Sequence, residues 1–303
     1  MFHRLKQFFT AFKSADLLST VILQLQDIRG NSNQLTLYGT PTKEHWLGIA
    51  NATNSLFPDC SLAIPQVYSQ HGFTNADSEV LLNAIAKANF DRVVISGFAD
   101  FFFSYIDHLY PHTSIEVIFH GTIAEFHEPA KQDLVKKIIL YCNQNKIQRI
   151  GFIKKGLAEI FTALFKVECY HCPLPTPAIP PTVNRLNLDR TKVHIGVFGA
   201  DTFNKNLHNQ VIHALLIENS IVHVLDKSHF DYLQAGNRIV EHGNHLPREI
   251  FLGILGSMDL NLYMSFSESW GLVAYESEAM GIPCLLPLTV DYLGEIKSAL
   301  HKK

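Results

Sequence analysis

Cys172-Pro173-Leu174-Pro175-Thr176-Pro177-Ala178-Ile179-Pro180-Pro181 places five prolines in ten residues. Proline fixes φ and donates no amide hydrogen, so this run can neither continue a helix nor join a sheet ladder, and it reads as a connector. On its amino-terminal side, from Gln34 onward, short β-rich runs (Leu35 to Tyr38, Arg92 to Ser96, Ile115 to Phe119, Arg149 to Ile153) alternate with helical stretches such as Asp77 to Ala88 and Pro129 to Asn143. On its carboxyl side the same rhythm restarts: Val193 to Phe198, a helix near Leu207 to Glu218, Ile221 to Leu225, a helix near Pro247 to Leu255, then Leu260 to Met264. Such alternation implies parallel sheets with crossover helices. A chain of 303 residues, 47% apolar and 17% charged, is long enough for two buried cores. The expectation is an α/β fold of two Rossmann-like domains, residues 1–184 and 185–303, facing across a cleft. Ligands of such folds bind at the carboxyl ends of the strands.

Several function classes lose support at once. A formal charge of -3, with 25 Lys and Arg scattered along the chain, leaves no phosphate-backbone footprint, so nucleic acid is not an expected partner. There is no G-x-G-x-x-G after a strand and no G-x-x-x-x-G-K-[ST], which removes the main support for a dinucleotide dehydrogenase or a P-loop enzyme. Five cysteines do not form a disulfide framework and suggest a reducing cytoplasm. Cys169-x2-Cys172, with His171 between, has no second ligand cluster to complete a zinc site. No window is apolar over the roughly 18 to 20 residues that span a bilayer. At the amino terminus, Phe2, Leu5, Phe8, Phe9 and Phe12 recur at helical spacing with His3, Arg4, Lys6 and Lys13 between them. A helix over residues 1–13 would pack on its own domain or lie peripherally on an anionic membrane surface.

The chemistry concentrates in Ser265-Phe-Ser-Glu-Ser-Trp-Gly-Leu-Val-Ala-Tyr-Glu-Ser-Glu-Ala-Met-Gly-Ile-Pro283. A strand enters a small, polar turn; a helix should start near Gly271 and stop at Gly281, with Pro283 beyond it. A helix entered this way presents unpaired amides and a positive dipole end, which suits a diphosphate. On that helix Glu276 shares a face with Leu272, Ala279 and Met280, so a carboxylate interrupts an apolar stripe and requires a partner. Glu278 faces the other way, toward solvent.

Glu268-x7-Glu276, followed by Ala279, Gly281 and Pro283, resembles the E-x7-E signature of family four of the retaining glycosyltransferases, whose usual form is S-E-G-F-G-L-V-x-x-E-A-M-A-x-G-x-P. Ser267, Glu268, Gly271, Leu272, Val273, Glu276, Gly281 and Pro283 match; Ser269, Trp270, Ser277 and Glu278 depart. The resemblance implies the two-domain GT-B fold. It also implies that Glu268 contacts the donor sugar near the reacting centre, that Glu276 holds the ribose hydroxyls, and that the backbone at Gly271, Leu272 and Val273 cradles the diphosphate. After the first strand of the second domain, Gly199 to Asn206 stands where the family has G-R-x4-K-G. Lys205 matches the lysine that neutralises the diphosphate and Asn206 follows it, whereas Ala200 replaces the arginine and removes one positive charge from the leaving group. In the first domain Val117-Ile118-Phe119-His120 is similar to the family's apolar strand ending in histidine, which would bring His120 to the donor sugar or the acceptor. The ordinary alternatives are a surface loop acid for Glu268, a solvated Lys205 and a structural His120. The resemblance is clear over about residues 185–283 and faint over 1–90. The family continues with a further strand and a long helix, so this chain reads as a minimal or shortened form at its carboxyl end.

The activity implied is transfer of a sugar from a nucleotide diphosphate donor to an acceptor hydroxyl with the anomeric configuration kept, on a glycan or lipid-linked acceptor of surface polysaccharide or glycoconjugate synthesis. No Asp-x-Asp pair is present, so no metal is expected, and Lys205 with the helix amides would do its work. No cofactor beyond the nucleotide sugar is required. The rivals are a GT-B-like binding or scaffold subunit, suggested by Ala200, and a sugar-nucleotide epimerase on the same fold.

Overall fold

The structure is a computed structural model that describes residues 14–41, 47–65, 73–165, 167–175, 179–180, 182–244 and 246–287. The amino-terminal aromatic and basic segment, residues 1–13, falls outside them. The chain divides into two compact units within the proline run, between Leu174 and Pro175; the first runs to residue 174 apart from 122–124.

The first unit is built on strands β1 (Gln34–Gly39), β2 (Ser61–Ile64), β3 (Arg92–Ser96), β4 (Ser114–Phe119), β5 (Arg149–Phe152) and β6 (Glu168–His171), with helices α1 (Ser14–Asn31), α2 (Leu47–Leu56), α3 (Asn75–Ala88), α4 (Phe102–Leu109), α5 (Pro129–Asn143) and α6 (Lys155–Phe165). The sheet order is β2-β1-β3-β4-β5-β6, with every neighbouring pair parallel. Leu35, Leu37, Val93, Ile95, Ile115 and Val117 are fully buried along its central strands, each contributing about 1.5–3 kcal/mol by leaving water. α3 begins where Thr74 and Asp77 form a reciprocal capping box and ends on Asn89 in the left-handed conformation, which satisfies otherwise unpaired amides at the start and turns the chain into β3. Glu116, buried inside β4, is held by Arg92 at 2.5 Å, Arg149 at 3.5 Å and the Tyr170 hydroxyl at 3.1 Å.

The second unit contains β7 (Val193–Val197), β8 (Ser220–Val224), β9 (Ile239–Glu241), β10 (Leu260–Leu262) and β11 (Cys284–Leu285), with α7 (Leu207–Leu216), α8 (Arg248–Leu255) and α9 (Leu272–Ala279). The parallel order is β11-β10-β7-β8-β9. β7 therefore has β8 on one side and β10 on the other, the point at which a doubly wound sheet reverses direction and opens a crevice. The register Leu260↔Ile195, Asn261↔Gly196, Leu262↔Val197 sets the carboxyl ends of β7 and β10 beside each other. Gly196 is required there, because a Cβ would stand 2.2 Å from Asn261 Oδ1. Asn261 is fully buried and donates through Nδ2 to Leu255 O at 3.2 Å and Ser277 Oγ at 3.1 Å, tying β10 to α8 and α9. Val183, Leu186 and Leu188 pack with Leu252 and Leu255 of α8.

No helix among the described residues is long and apolar enough to cross a membrane.

Candidate functional site

Two loops meet above the β7–β10 junction. The first leaves β7 through Phe198 and Gly199, passes the exposed Ala200 and closes in a 3-10 turn, Phe203–Lys205. Asn206 then adopts φ 54°, a left-handed step that redirects the chain into α7. Its side chain donates to Met264 O at 3.0 Å and accepts from Asn209 at 2.6 Å. The second loop leaves β10 at Tyr263 and runs to Gly271. It is stitched to the first by Phe266 N to Asn204 O at 2.8 Å and Asn204 Nδ2 to Ser267 O at 3.3 Å.

Lys205 Nζ donates to Glu268 Oε1 at 2.6 Å and lies 3.4 Å from the Tyr263 hydroxyl. Glu268 is 5% exposed and Tyr263 6%. Burial, and then the neighbouring Glu268 carboxylate, push the Tyr263 hydroxyl well above its usual range, so it stays neutral. Gln210 supports this corner from α7: its Nε2 donates to Lys205 O at 2.7 Å and its Oε1 accepts from Met264 N at 2.8 Å.

Gly271 has φ 89° and no side chain caps the helix that follows. A residue with a Cβ would be strained at that angle, and helix geometry gives the first-turn amides, at Leu272 and Val273, no acceptor within the helix. Glu276 is 2% exposed and accepts from Arg248 Nη1 through Oε1. Burial raises its carboxyl above the ordinary range, and the Arg248 guanidinium opposes that rise. Ser265 Oγ and Trp270 Nε1, in the same loop, are buried without a hydrogen-bond partner among the described residues.

The structure thus gathers Lys205, Asn206, Glu268, Gly271, Leu272, Val273 and Glu276 in the second unit, at the carboxyl ends of β7 and β10. One detail of the sequence reading is corrected. Ala279 is exposed, and the buried face of α9 is Ala274, Glu276 and Ser277. The short helix turns Ser277 against Asn261, which displaces the apolar stripe expected from Leu272, Ala279 and Met280. Glu278 is exposed, as its position on the helix implied.

His120 stands in the first unit, immediately after β4. Its Nε2 is 2.9 Å from Ser96 Oγ, which is 2.7 Å from Thr53 Oγ1. Burial lowers the imidazole to about 4, so it is neutral at pH 7. It lines a small cavity with Gly97, Gly121, Glu125 and Lys131.

Sequence reasoning missed Arg248, Tyr263 and Gln210. A signal for Arg248 existed: a cation in the first turn of a helix opposes the macrodipole and invites the question of what else holds it there. Gln210 likewise interrupts the buried face formed by Leu207, Val211 and Ala214.

No protein-family model matches the chain, and no curated protein matches it in sequence. Solved structures do match. HepE from Anabaena, in complex with UDP-glucose, superposes with a TM-score of 0.61 at 10% identity, covering 86% of this chain and 82% of that one. Sucrose-phosphate synthase from Thermosynechococcus elongatus gives 0.57 at 11% identity over 93% and 77%, and OtsA gives 0.54 at 12% identity over 88% and 87%. The fold is that of the GT-B glycosyltransferases. At these identities the likeness establishes the fold, and the chemistry has to be argued from the site.

Proposed function

We propose that the protein is a retaining glycosyltransferase that moves a sugar from a nucleotide diphosphate donor to an acceptor hydroxyl without a metal ion. The observation that carries this reading is the Lys205–Glu268 contact, 2.6 Å between Nζ and Oε1, at the switch point of the second sheet and beside the uncapped start of α9. An ammonium and a row of free amides suit a diphosphate that gains charge as it leaves. A buried carboxylate next to them suits the sugar, whose ring becomes oxocarbenium-like. Ser265 Oγ and Trp270 Nε1, buried without a hydrogen-bond partner among the described residues, are the kind of groups that a bound ligand would satisfy.

In the proposed reaction the diphosphate departs toward Lys205 and the first-turn amides of α9. The acceptor hydroxyl attacks the anomeric carbon from the face that the diphosphate leaves, and its proton passes to the leaving phosphate oxygen. Glu268 stabilises the positive charge on the sugar, Glu276 holds the ribose, and His120, a neutral imidazole, offers a hydrogen bond to the donor sugar or the acceptor. No enzyme nucleophile takes part. Family-four membership, a role in surface polysaccharide or glycoconjugate synthesis on a glycan or lipid-linked acceptor, and a cytoplasmic location with peripheral membrane contact through residues 1–13 belong to the same proposal.

Because one structural neighbour was captured with UDP-glucose, uridine diphosphate sugars are the first donors to test. Incubation with a donor panel and glycan acceptors should release the nucleoside diphosphate together with a new glycoside of unchanged anomeric configuration, read by mass spectrometry and proton NMR. Ala200, exposed where the family carries an arginine, favours one alternative, a nucleotide-binding subunit without turnover. Donor binding with no product under any acceptor would select it. Isomerised donor without transfer would select an epimerase.

A further inference from the structure

We infer that Arg248 is the positioning residue of Glu276: it holds the carboxylate ionised and fixed in orientation so that the remaining oxygen can take a nucleotide's ribose hydroxyls. This rests on the nucleotide reading of the site proposed above and adds to it a residue from a separate element.

Glu276 lies on α9 and Arg248 opens α8, 28 residues earlier. The pair is asymmetric: the Glu276 side chain is 3% exposed and that of Arg248 28%. A buried carboxylate with no cation would take up a proton instead of bearing its charge. The guanidinium is planar and permanently charged, so it anchors one carboxylate oxygen in a defined direction. It takes Oε1, and Oε2 has no donor among the described residues. A ribose diol presents two hydroxyl donors, and a charged acceptor holds them more strongly than a neutral one. Arg248 sits at a helix start, where the dipole disfavours a cation. That placement has a cost, and the contact with Glu276 offsets it.

The other charged or titratable groups around the carboxylate do not replace Arg248. Tyr263, from the end of β10, is neutral. Cys284 on β11 is raised to about 11 by burial and is also neutral. Lys205 is engaged by Glu268. On α9 itself, Glu278 is exposed and Tyr275 stacks edge-on with Trp270.

The test is calorimetric titration of uridine, guanosine, adenosine, cytidine and thymidine diphosphates between pH 6 and 8. It compares wild type, Arg248→Met, Arg248→Lys, Glu276→Gln and the Arg248→Met/Glu276→Gln double variant; Arg248→Gln stands in if the methionine variant does not fold. Titration of the ligand's own phosphate is common to all of them and cancels. Burial raises the Glu276 carboxyl and the guanidinium opposes that rise, so without it the carboxyl takes up a proton more readily, and Arg248→Met should bind at least tenfold more weakly at pH 6 than at pH 8, beyond any wild-type change. Lysine should restore the wild-type profile, and the double variant should lose the added pH dependence. Binding that weakens in Glu276→Gln while Arg248→Met keeps the wild-type profile would overturn the role of Arg248 alone. Failure of every diphosphate to bind wild type, or unchanged binding in Glu276→Gln, would overturn the nucleotide reading and this inference with it.

Discussion

Lys205 and Glu268 come from loops 63 residues apart and meet at 2.6 Å, Nζ to Oε1, over the paired ends of β7 and β10. Each carries a role proposed for the reaction, and each is the other's counter-ion before a donor arrives. Binding of a diphosphate would therefore compete with Glu268 for the ammonium. Glu268→Gln keeps the shape of the side chain and removes its charge. It should leave nucleoside diphosphate affinity unchanged or slightly tighter while lowering turnover by two or more orders of magnitude, because the lost interaction strengthens in the transition state. Steady-state kinetics beside calorimetry separates the two effects.

Removing Lys205 should act on stability as well as on activity. Lys205→Met leaves Glu268, 5% exposed, buried without its cation, at a cost of about 3 kcal/mol. The Lys205→Met/Glu268→Gln double variant should recover most of that loss and remain without turnover. Urea denaturation of the two single variants and the double variant gives the coupling directly.

The stability of the second unit should depend on pH through His223. It is 2% exposed and stands between His194 and His242, at 2.9 and 2.7 Å. Burial, then the two neighbouring imidazoles, lower it to about 3. The folded value lies below the unfolded one of about 6.5, so the unfolded chain takes up the proton first. Stability is fully present above about pH 6.5 and declines as the pH falls toward 3, by at most about 1.4 kcal/mol per unit for one group. His223→Asn should flatten that slope in thermal denaturation between pH 6.5 and 4. An unchanged slope would assign the loss to other groups.

Turnover should survive chelation. In the proposed reaction Lys205 and the amides at the start of α9 do the work that a divalent cation would otherwise do. Assays in EDTA should match those without it, and a large loss that manganese restores would count against the mechanism.

The central strands were legible because they are short, mostly apolar runs: β3, Arg92–Ser96, has the boundaries read from the sequence, as does helix α5, Pro129–Asn143, and the ends of the other elements differ by a few residues. The edge strands were not. β6 reads Glu-Cys-Tyr-His and is half-buried, while β9 and β11 are three and two residues long; their pairing is imposed by the neighbouring strand, and composition carries no trace of it. In the second unit, Glu268 and Lys205 were singled out by the family resemblance, and Glu276 also by its place on a helix face; what the structure adds is that Lys205 and Glu268 meet. Arg248, Tyr263 and Gln210 were not, because their roles arise from the register that brings β10 beside β7 and sets α8 against α9. The buried face of α9 was misread for the same reason: on an eight-residue helix the hydrogen bond from Asn261 to Ser277 outweighs a short apolar stripe.

The most direct test is one set of calorimetric titrations, uridine diphosphate first, into wild type, Glu268→Gln and Glu276→Gln at a single pH and salt concentration. If Glu276 holds the ribose, Glu276→Gln should lose about 1.5 to 3 kcal/mol of nucleoside diphosphate affinity, roughly ten- to a hundred-fold, while Glu268→Gln binds as tightly as wild type. Equal losses from both substitutions would contradict the division between ribose and sugar. No loss from either would leave Ser265 to Pro283 an ordinary strand, turn and helix.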